Sequence, residues 1–325
     1  MRKKSMLSTL SSFTRSGTKL LRMTSRLMGT VTALPKVRPS PKPKRAAKAG
    51  VAAPAARAGF SPNPGGLTMQ LHVPARLTAR PPLVVLMHGC GQDPQAFAVE
   101  TGWRARADKA GFVLLMPGQV EANNAQRCFN WFRPGDIGRD LGEAGSIAAQ
   151  VRSVVKRHRC DPARVFVTGL SAGGAMTAAL LASYPDLFAG GAVVAGLPAG
   201  SASGVIGAMT RMAGRGAELP PADWMARARA LGPVGYAGPW PRLAIWHGDA
   251  DKVVAPVNGA QLAAQWVTLL GLENPAVRRE VAPGVTCDSW GAAGGDASVQ
   301  LWQLAGMGHV YPTAAAAEIA AFWKL

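Results

Sequence analysis

Short runs of apolar residues recur along this chain, and segments with helical spacing follow them. The runs at 83–87 and 112–116 consist only of Leu, Val, Met and Phe, which is typical of strands buried on both faces. Strands that alternate with helices form a mostly parallel sheet covered on both sides, so the pattern predicts an α/β fold. Further strands are predicted at 164–168, 192–195, 243–246 and 299–304, helices at 95–110, 143–158, 173–183, 257–271 and 313–324, and an irregular Gly/Pro-rich segment at 198–240.

The net charge of +18 resembles that of nucleic-acid-binding proteins, but the charge is unevenly distributed. No acidic residue precedes Asp93, and residues 93–325 carry 20 basic and 18 acidic residues. The basic excess therefore belongs to the N-terminal region. Since no nucleic-acid-binding module accompanies it, specific nucleic-acid recognition is not expected.

Residues 1–58 are predicted to be a basic tail and linker ahead of a folded domain at 59–325. Residues 1–34 have apolar residues at helical spacing, which predicts an amphipathic helix that either packs loosely on the domain or binds an anionic surface. Residues 35–58 are rich in Pro, Lys and Ala and predict an extended linker. Basic residues interrupt the apolar stretch that a secretory signal needs. No run of 18 apolar residues occurs, so no transmembrane helix is expected.

A Gly-Leu-Ser-Ala-Gly pentapeptide at 169–173 joins the predicted strand 164–168 to the predicted helix 173–183. A serine on such a turn projects its hydroxyl above the sheet, and its neighbours must be small because the turn is strained and crowded. Five residues alone are weak evidence, because an ordinary glycine-rich turn has the same composition. The flanking strand and helix favour Ser171 as a nucleophile.

A serine hydroxyl is a poor nucleophile until a base accepts its proton. His309 directly follows the predicted strand 299–304, and it is the only histidine after the last predicted strand. An isolated histidine is more often structural than catalytic. The position after a late strand nevertheless predicts that His309 is the base.

The base in turn needs an acid that orients it and stabilises the imidazolium. Asp249 and Asp251 both follow the predicted strand 243–246. Asp251 is the preferred acid because the loop needs a residue or two to turn toward the histidine, and His247 is interpreted as structural. The three candidates then occur in the chain order of α/β-hydrolases: Ser171, Asp251, His309.

Two backbone amides are predicted to stabilise the oxyanion of an acyl-transfer reaction. One belongs to Ala172, and the other to Cys90 in the loop after the first core strand. Cys90 is alternatively, or in addition, part of a disulfide, with Cys128 as the first partner to test. With Cys160 and Cys287 the chain has four cysteines without zinc-site spacing. No metal or organic cofactor is expected.

Several longer segments resemble the polyhydroxybutyrate (PHB) depolymerase family of esterases, which is related to feruloyl and acetylxylan esterases. The resemblance covers about residues 65–325. It implies an α/β-hydrolase catalytic domain, ester hydrolysis and often secretion, with the same three catalytic residues as above. The segments that carry the resemblance are 88–92, 127–132, 161–176, 246–251 and 306–309.

Two positions near the predicted site depart from the pattern of that family. Tyr311 stands shortly after His309 where the family commonly has Trp, and its Cys-Trp-Asn-Trp pattern is here Cys128-Phe-Asn-Trp131. Trp131 and Tyr311 are candidates for the substrate cleft, with a core or rim position as the equally weighted alternative for each.

Three functions remain open. The first is a serine esterase that acts on short-chain polyhydroxyalkanoate or hydroxybutyrate oligomers, and the second is a feruloyl- or acetylxylan-type esterase. The third, of a different class, is a surface-binding protein that uses the basic tail at 1–58. The resemblance indicates an extracellular location, whereas the lack of a clear signal peptide keeps a cytoplasmic location open.

Overall fold

A computed structural model of the protein describes residues 60–325, except for 273–274 and 292–294. The predicted tail and linker at 1–58 lie outside the described residues. Within the described part, the strands form one nine-stranded sheet. The strands are β1 (Thr68–His72), β2 (Leu83–Met87), β3 (Val113–Gly118), β4 (Val165–Leu170), β5 (Gly190–Val194), β6 (Arg242–Gly248), β7 (Val277–Ala282), β8 (Val285–Gly291) and β9 (Ala297–Leu304).

Helices connect most of these strands. They are α1 (Pro94–Glu100), α2 (Trp103–Ala110), α3 (Pro134–Ile137), α4 (Gly142–His158), α5 (Ala172–Ser183), α6 (Gly204–Met212), α7 (Pro221–Arg229), α8 (Val257–Leu269) and α9 (Ala315–Phe322). No helix in the described ranges is long and apolar enough to cross a membrane.

The strand order is β1-β3-β2-β4-β5-β6-β9-β8-β7. The pairs from β3 through β9 are parallel, while β1 and the β7–β8 hairpin add antiparallel strands at the two edges. The mostly parallel sheet of an α/β-hydrolase is thereby confirmed. The carboxyl ends of the parallel strands lie at one edge of the sheet, which is where sites form in such sheets.

The core has two layers because neighbouring side chains of each buried strand point to opposite faces. In β2, Leu83 and Val85 pack with residues of α4, α5 and α8, whereas Val84 and Leu86 pack with residues of α1, α2 and α9. All five residues of β2 are buried. This two-sided burial explains why the strand is a continuous apolar run.

Two predictions about local structure were wrong, and one element was missed. The segment predicted as one helix at 95–110 forms two, because Gly102 adopts a left-handed conformation with φ of 77° between α1 and α2. The segment 198–240, predicted to be irregular, contains α6 and α7. The hairpin β7–β8 was not predicted, and every residue of β7 is exposed.

Candidate active site

Ser171 lies at the sharp turn between β4 and α5. Its backbone φ of 58° and ψ of −120° are unusual for a residue with a side chain. The Ser171 amide donates to the carbonyl of Val194 at 2.9 Å, which fixes the turn to the end of β5. A Cβ atom at Gly169 would lie 2.5 Å from the carbonyl oxygen of Gly173, so the turn requires glycine there. The strand, turn and helix predicted around Ser171 are present.

Asp251 and His309 follow neighbouring parallel strands. β6 and β9 pair in register up to Gly248 and Leu304, so the two loops leave the sheet side by side. Nδ1 of His309 lies 2.7 Å from Oδ2 of Asp251. The structure thus brings together the two side chains that were named from the sequence as acid and base.

The Asp251 carboxylate is completely buried and hydrogen-bonded at both oxygens. Its Oδ1 accepts from the amides of Val253 and Val254 at 2.8 and 2.9 Å, which leaves Oδ2 for His309. The competing residue, Asp249, accepts from the Gly306 amide at 2.7 Å and supports the loop that carries the histidine. Asp251, and not Asp249, is therefore the aspartate paired with His309.

His247 lies beneath this pair. Its Nε2 is 2.9 Å from the carbonyl oxygen of Val254 and 3.5 Å from Oδ2 of Asp251. Because a carbonyl can only accept, Nε2 carries the proton. Burial lowers the pKa of His247, which keeps the ring neutral near the carboxylate. His247 thus has a position that fits a structural role, because its hydrogen bond to Val254 fixes the loop that carries Asp251.

A cavity of about 540 Å³ opens at Ser171. Cys90 and Ala172 line it next to the serine, and Val254 connects it to the loop of Asp251. Among the described residues, neither the Cys90 nor the Ala172 amide donates to an acceptor. Both amides are therefore available to a ligand. No hydrogen bond joins the Ser171 hydroxyl to His309 within the same set of residues, and such bonds are often long before substrate binds.

Cys90 and Cys128 form a disulfide, which confirms the pairing named first from the sequence. The bond ties the loop after β2 to the segment that enters the cavity wall at Trp131. Cys160 and Cys287 are free and buried. The described residues contain no cluster of His, Cys, Asp or Glu side chains suited to a metal ion.

The two aromatic cleft candidates have different positions. Trp131 lines the cavity. Tyr311 is absent from its lining; its hydroxyl accepts from Nε1 of Trp103 at 2.8 Å, and its ring packs edge-on against Phe97. Burial raises the pKa of Tyr311 to about 12. The cleft prediction for Tyr311 is therefore corrected to a structural role, because its polar end is already used inside the protein.

A buried carboxylate beneath the Trp131 segment was missed from the sequence. Glu143, at the start of α4, accepts from the backbone amide and the side-chain amide of Asn130 at 2.8 and 2.6 Å, and also from the side chain of Gln119. Burial raises the pKa of Glu143 to about 7. These bonds join the end of β3 to the segment after Cys128, so Glu143 supports one wall of the cavity.

Helix α6 forms the opposite wall and was also missed. The residues on its cavity side have the spacing of an amphipathic helix, and this signal was present in the sequence. The glycines around it obscured the pattern, because glycine lowers helix propensity. The cavity side of α6 consists of Val205, Ala208, Met209 and Met212.

Comparison with known proteins places these features in a family. The sequence matches the family described as Esterase PHB depolymerase over residues 67–284, which include Ser171 and Asp251. The poly(3-hydroxyalkanoate) depolymerase C of Paucimonas lemoignei is 41% identical over 253 residues, or 78% of this chain and 60% of that protein. The chain thus spans less than two thirds of that relative.

Feruloyl and acetylxylan esterases are also similar. A feruloyl esterase B of Talaromyces stipitatus is 31% identical over 261 residues, which are 78% of this chain and 71% of that protein. Among solved structures, the acetyl xylan esterase from Aspergillus awamori aligns with a TM-score of 0.72 and 26% identity, covering 80% of this chain and 95% of that one. The chain belongs to the PHB depolymerase family of esterases.

Proposed function

We propose that this protein hydrolyses carboxylic esters through an acyl-enzyme formed on Ser171. The observation that carries the proposal is the 2.7 Å contact between His309 and a fully buried Asp251, beside a cavity that contains the strained Ser171. A neutral imidazole with Nδ1–H held by a carboxylate presents an unprotonated Nε2, which is the form a general base needs.

In the proposed reaction, Nε2 of His309 accepts the proton of the Ser171 hydroxyl while the serine oxygen attacks the ester carbonyl. Amides of Cys90 and Ala172 donate to the oxyanion that forms. His309 then protonates the departing alcohol, and the carbon–oxygen bond of the ester breaks. Water, deprotonated by the same imidazole, attacks the acyl-enzyme. The imidazolium returns this proton to the serine oxygen as the bond between the acyl carbon and Ser171 breaks, which releases the acid.

We infer that the substrates are esters of short hydroxyalkanoic acids, such as hydroxybutyrate oligomers. The support is the 41% identity to a poly(3-hydroxyalkanoate) depolymerase, together with an apolar wall formed by α6 and Trp131. Aliphatic acyl units without charge fit such a wall, because their burial removes apolar surface from water.

A second candidate is a feruloyl or acetylxylan ester. It is supported by the similarity to feruloyl esterases and by the alignment with an acetyl xylan esterase over 95% of that structure. On the polar side of the cavity, Oδ1 of Asn123 and the side chain of Gln126 offer hydrogen-bonding groups to a sugar, whereas Asn124 bonds within the protein.

A direct test separates these proposals. The purified protein is assayed with p-nitrophenyl butyrate, and then with hydroxybutyrate oligomers, methyl ferulate and acetylated xylan. Ser171→Ala should reduce hydrolysis of every ester that the wild type cleaves by at least about 10⁴-fold. Full activity in Ser171→Ala would refute the proposed nucleophile, and preference for ferulate or acetylxylan would select the second candidate.

The surface-binding alternative rests on residues 1–58, outside the described residues. Removing residues 1–58 should leave the hydrolysis of p-nitrophenyl butyrate unchanged. Salt-sensitive binding to anionic vesicles should be lost, since exposed charges are screened by salt. Loss of hydrolysis in the truncated protein would show that the tail belongs to the catalytic domain.

A further inference from the structure

A second pocket lies on the other side of α6 from the cavity at Ser171. It has a volume of about 420 Å³ and is open to solvent. Ser201, Arg211 and Arg227 supply its polar groups, while Ile137, Ala230 and Leu231 are among its apolar walls. None of these residues takes part in the chemistry proposed above.

The two arginines place positive charge close together without a counter-ion. Both guanidinium groups lie over the ring of the buried Trp224, with centroid distances of 4.9 and 5.8 Å. Their protein partners are single backbone carbonyls, Ala217 for Arg211 and Gly200 for Arg227. Within the described ranges, no carboxylate forms an ion pair with either arginine. Each guanidinium therefore retains N–H donors for a ligand.

A buried hydroxyl lies in the wall of the same pocket. Ser201 is only 5% exposed, and its Oγ makes no hydrogen bond to any part of the chain that the structure describes. Because this oxygen is itself shielded from the pocket, it adds no direct contact for a ligand. The donors that a ligand would meet are therefore those of the two arginines.

The start of α6 adds a second favourable element. This nine-residue helix begins at the pocket with Ser203, whose side chain does not cap the first turn. The amide of Gly204 already donates to the carbonyl of Phe132, so this end contributes the positive pole of the helix dipole. The arginines and the helix terminus thus place positive charge at the same pocket.

We propose that this pocket binds a small organic carboxylate, with its charged group at Arg211 and Arg227 and its hydrocarbon body against the apolar walls. Planar guanidinium groups match the geometry of a carboxylate. An inorganic anion would leave Ile137, Ala230 and Leu231 without a partner. Ester hydrolysis would release such an acid at every turnover. The identification of the ligand as this product rests on the proposed function.

The pocket can be tested independently of catalysis. The full-length protein carries Ala208→Phe, which fills part of the neighbouring cavity whether or not Ser171 is a nucleophile. Sodium butyrate is then titrated by isothermal calorimetry. Saturable binding is expected, while butyramide, the neutral analogue, should bind at least about tenfold more weakly because it lacks the charge. Absence of saturable butyrate binding would overturn the proposal.

Variants locate the binding. Arg211→Gln combined with Arg227→Gln should weaken butyrate binding by about tenfold or more, because charge-assisted hydrogen bonds are lost. Arg229→Gln is the matched control on the same helix, since Arg229 lies over Trp240 and does not line the pocket. Unchanged affinity in the double variant would overturn the proposal. If circular dichroism shows that the double variant is unfolded, the single Arg227→Gln change at an exposed side chain provides the same comparison.

Inorganic phosphate is the competing ligand. Phosphate that binds as tightly as butyrate and displaces it would overturn the assignment to an organic acid. The binding assay does not depend on turnover, so a failure of the proposed function would appear in the Ser171→Ala assay and not here.

Discussion

Oδ2 of Asp251 is 2.7 Å from Nδ1 of His309, while Oδ1 of the same carboxylate is held by two amides of its own loop. The carboxylate is therefore held in place by the backbone of its own loop as well as by the histidine. Because Oδ2 is the atom that faces Nδ1, the group at this position determines which nitrogen of His309 carries the proton.

Asp251→Asn should lower kcat of p-nitrophenyl butyrate hydrolysis by about 10³- to 10⁴-fold. An amide at this position can donate to Nδ1 and stabilise the tautomer that cannot accept the serine proton. Asp249→Asn is the matched control: its amide oxygen still accepts from the Gly306 amide, so we expect a change of about twofold or less. Equal losses in both variants would contradict the assignment.

Replacement of both Cys90 and Cys128 by serine should lower the free energy of unfolding by about 2–4 kcal/mol. The bond closes a loop with a sequence separation of 38 residues, and its loss increases the entropy of the unfolded chain. Urea unfolding measures the effect. A reducing agent should produce the same shift in the wild type and none in the variant, and insensitivity of the wild type would show that the bond contributes little.

Ala208→Phe should change selectivity toward acyl length. Ala208 is buried on the cavity side of α6, so a phenyl group would occupy space that a long acyl chain needs. We expect kcat/KM for p-nitrophenyl octanoate to fall about tenfold more than that for the acetate. Ile206→Phe is the control, because Ile206 is 84% exposed and does not line the cavity. An equal loss with both esters would place the acyl chain elsewhere.

Glu143 should make the stability of the protein fall as pH rises from about 4.5 to about 7. Its pKa is raised to about 7 by burial, above its usual value of 4.5, so the folded state retains a proton that the unfolded state releases. Stability contributed by this proton is present below pH 4.5 and is lost as pH rises to 7, at about 1.4 kcal/mol per pH unit.

Glu143→Gln removes this titration. Urea unfolding at several pH values should therefore show that the free energy of unfolding falls less steeply with pH in the variant than in the wild type. The altered hydrogen bonds of the variant change this free energy at every pH but not its slope. Identical slopes would show that Glu143 does not titrate in this range. Since Glu143 contacts Asn130 near Trp131, KM measured over the same pH range shows whether the cavity wall responds.

Much of this structure could be predicted because a buried parallel strand has a local sequence pattern, a continuous run of apolar residues. Five-residue apolar runs identified β2 and most of β3, and their order with the helices led to the sheet and to the turn at Ser171. The choice of Asp251 over Asp249 also followed from local chain geometry. These features depend on neighbours in sequence or on the common edge of parallel strands.

Other features depend on residues distant in sequence, and no local pattern marks them. Glu143 is typical of a surface residue until the fold brings Gln119 and Asn130 against it. Arg211 and Arg227 lie on different helices and meet only over Trp224. The sequence could not show whether Tyr311 lies in the cleft or in the core, because it does not reveal that Trp103 donates a hydrogen bond to the Tyr311 hydroxyl.

The outer hairpin has a consequence for how the molecule behaves at high concentration. β7 ends the sheet, and its backbone is the side that another chain could join to extend the ladder. The strand carries Arg278, Arg279 and Glu280, and a register irregularity follows Glu280. Charged side chains and an irregular register discourage pairing between exposed strands. The sequence of β7 thus disfavours the pairing of this exposed edge with another chain.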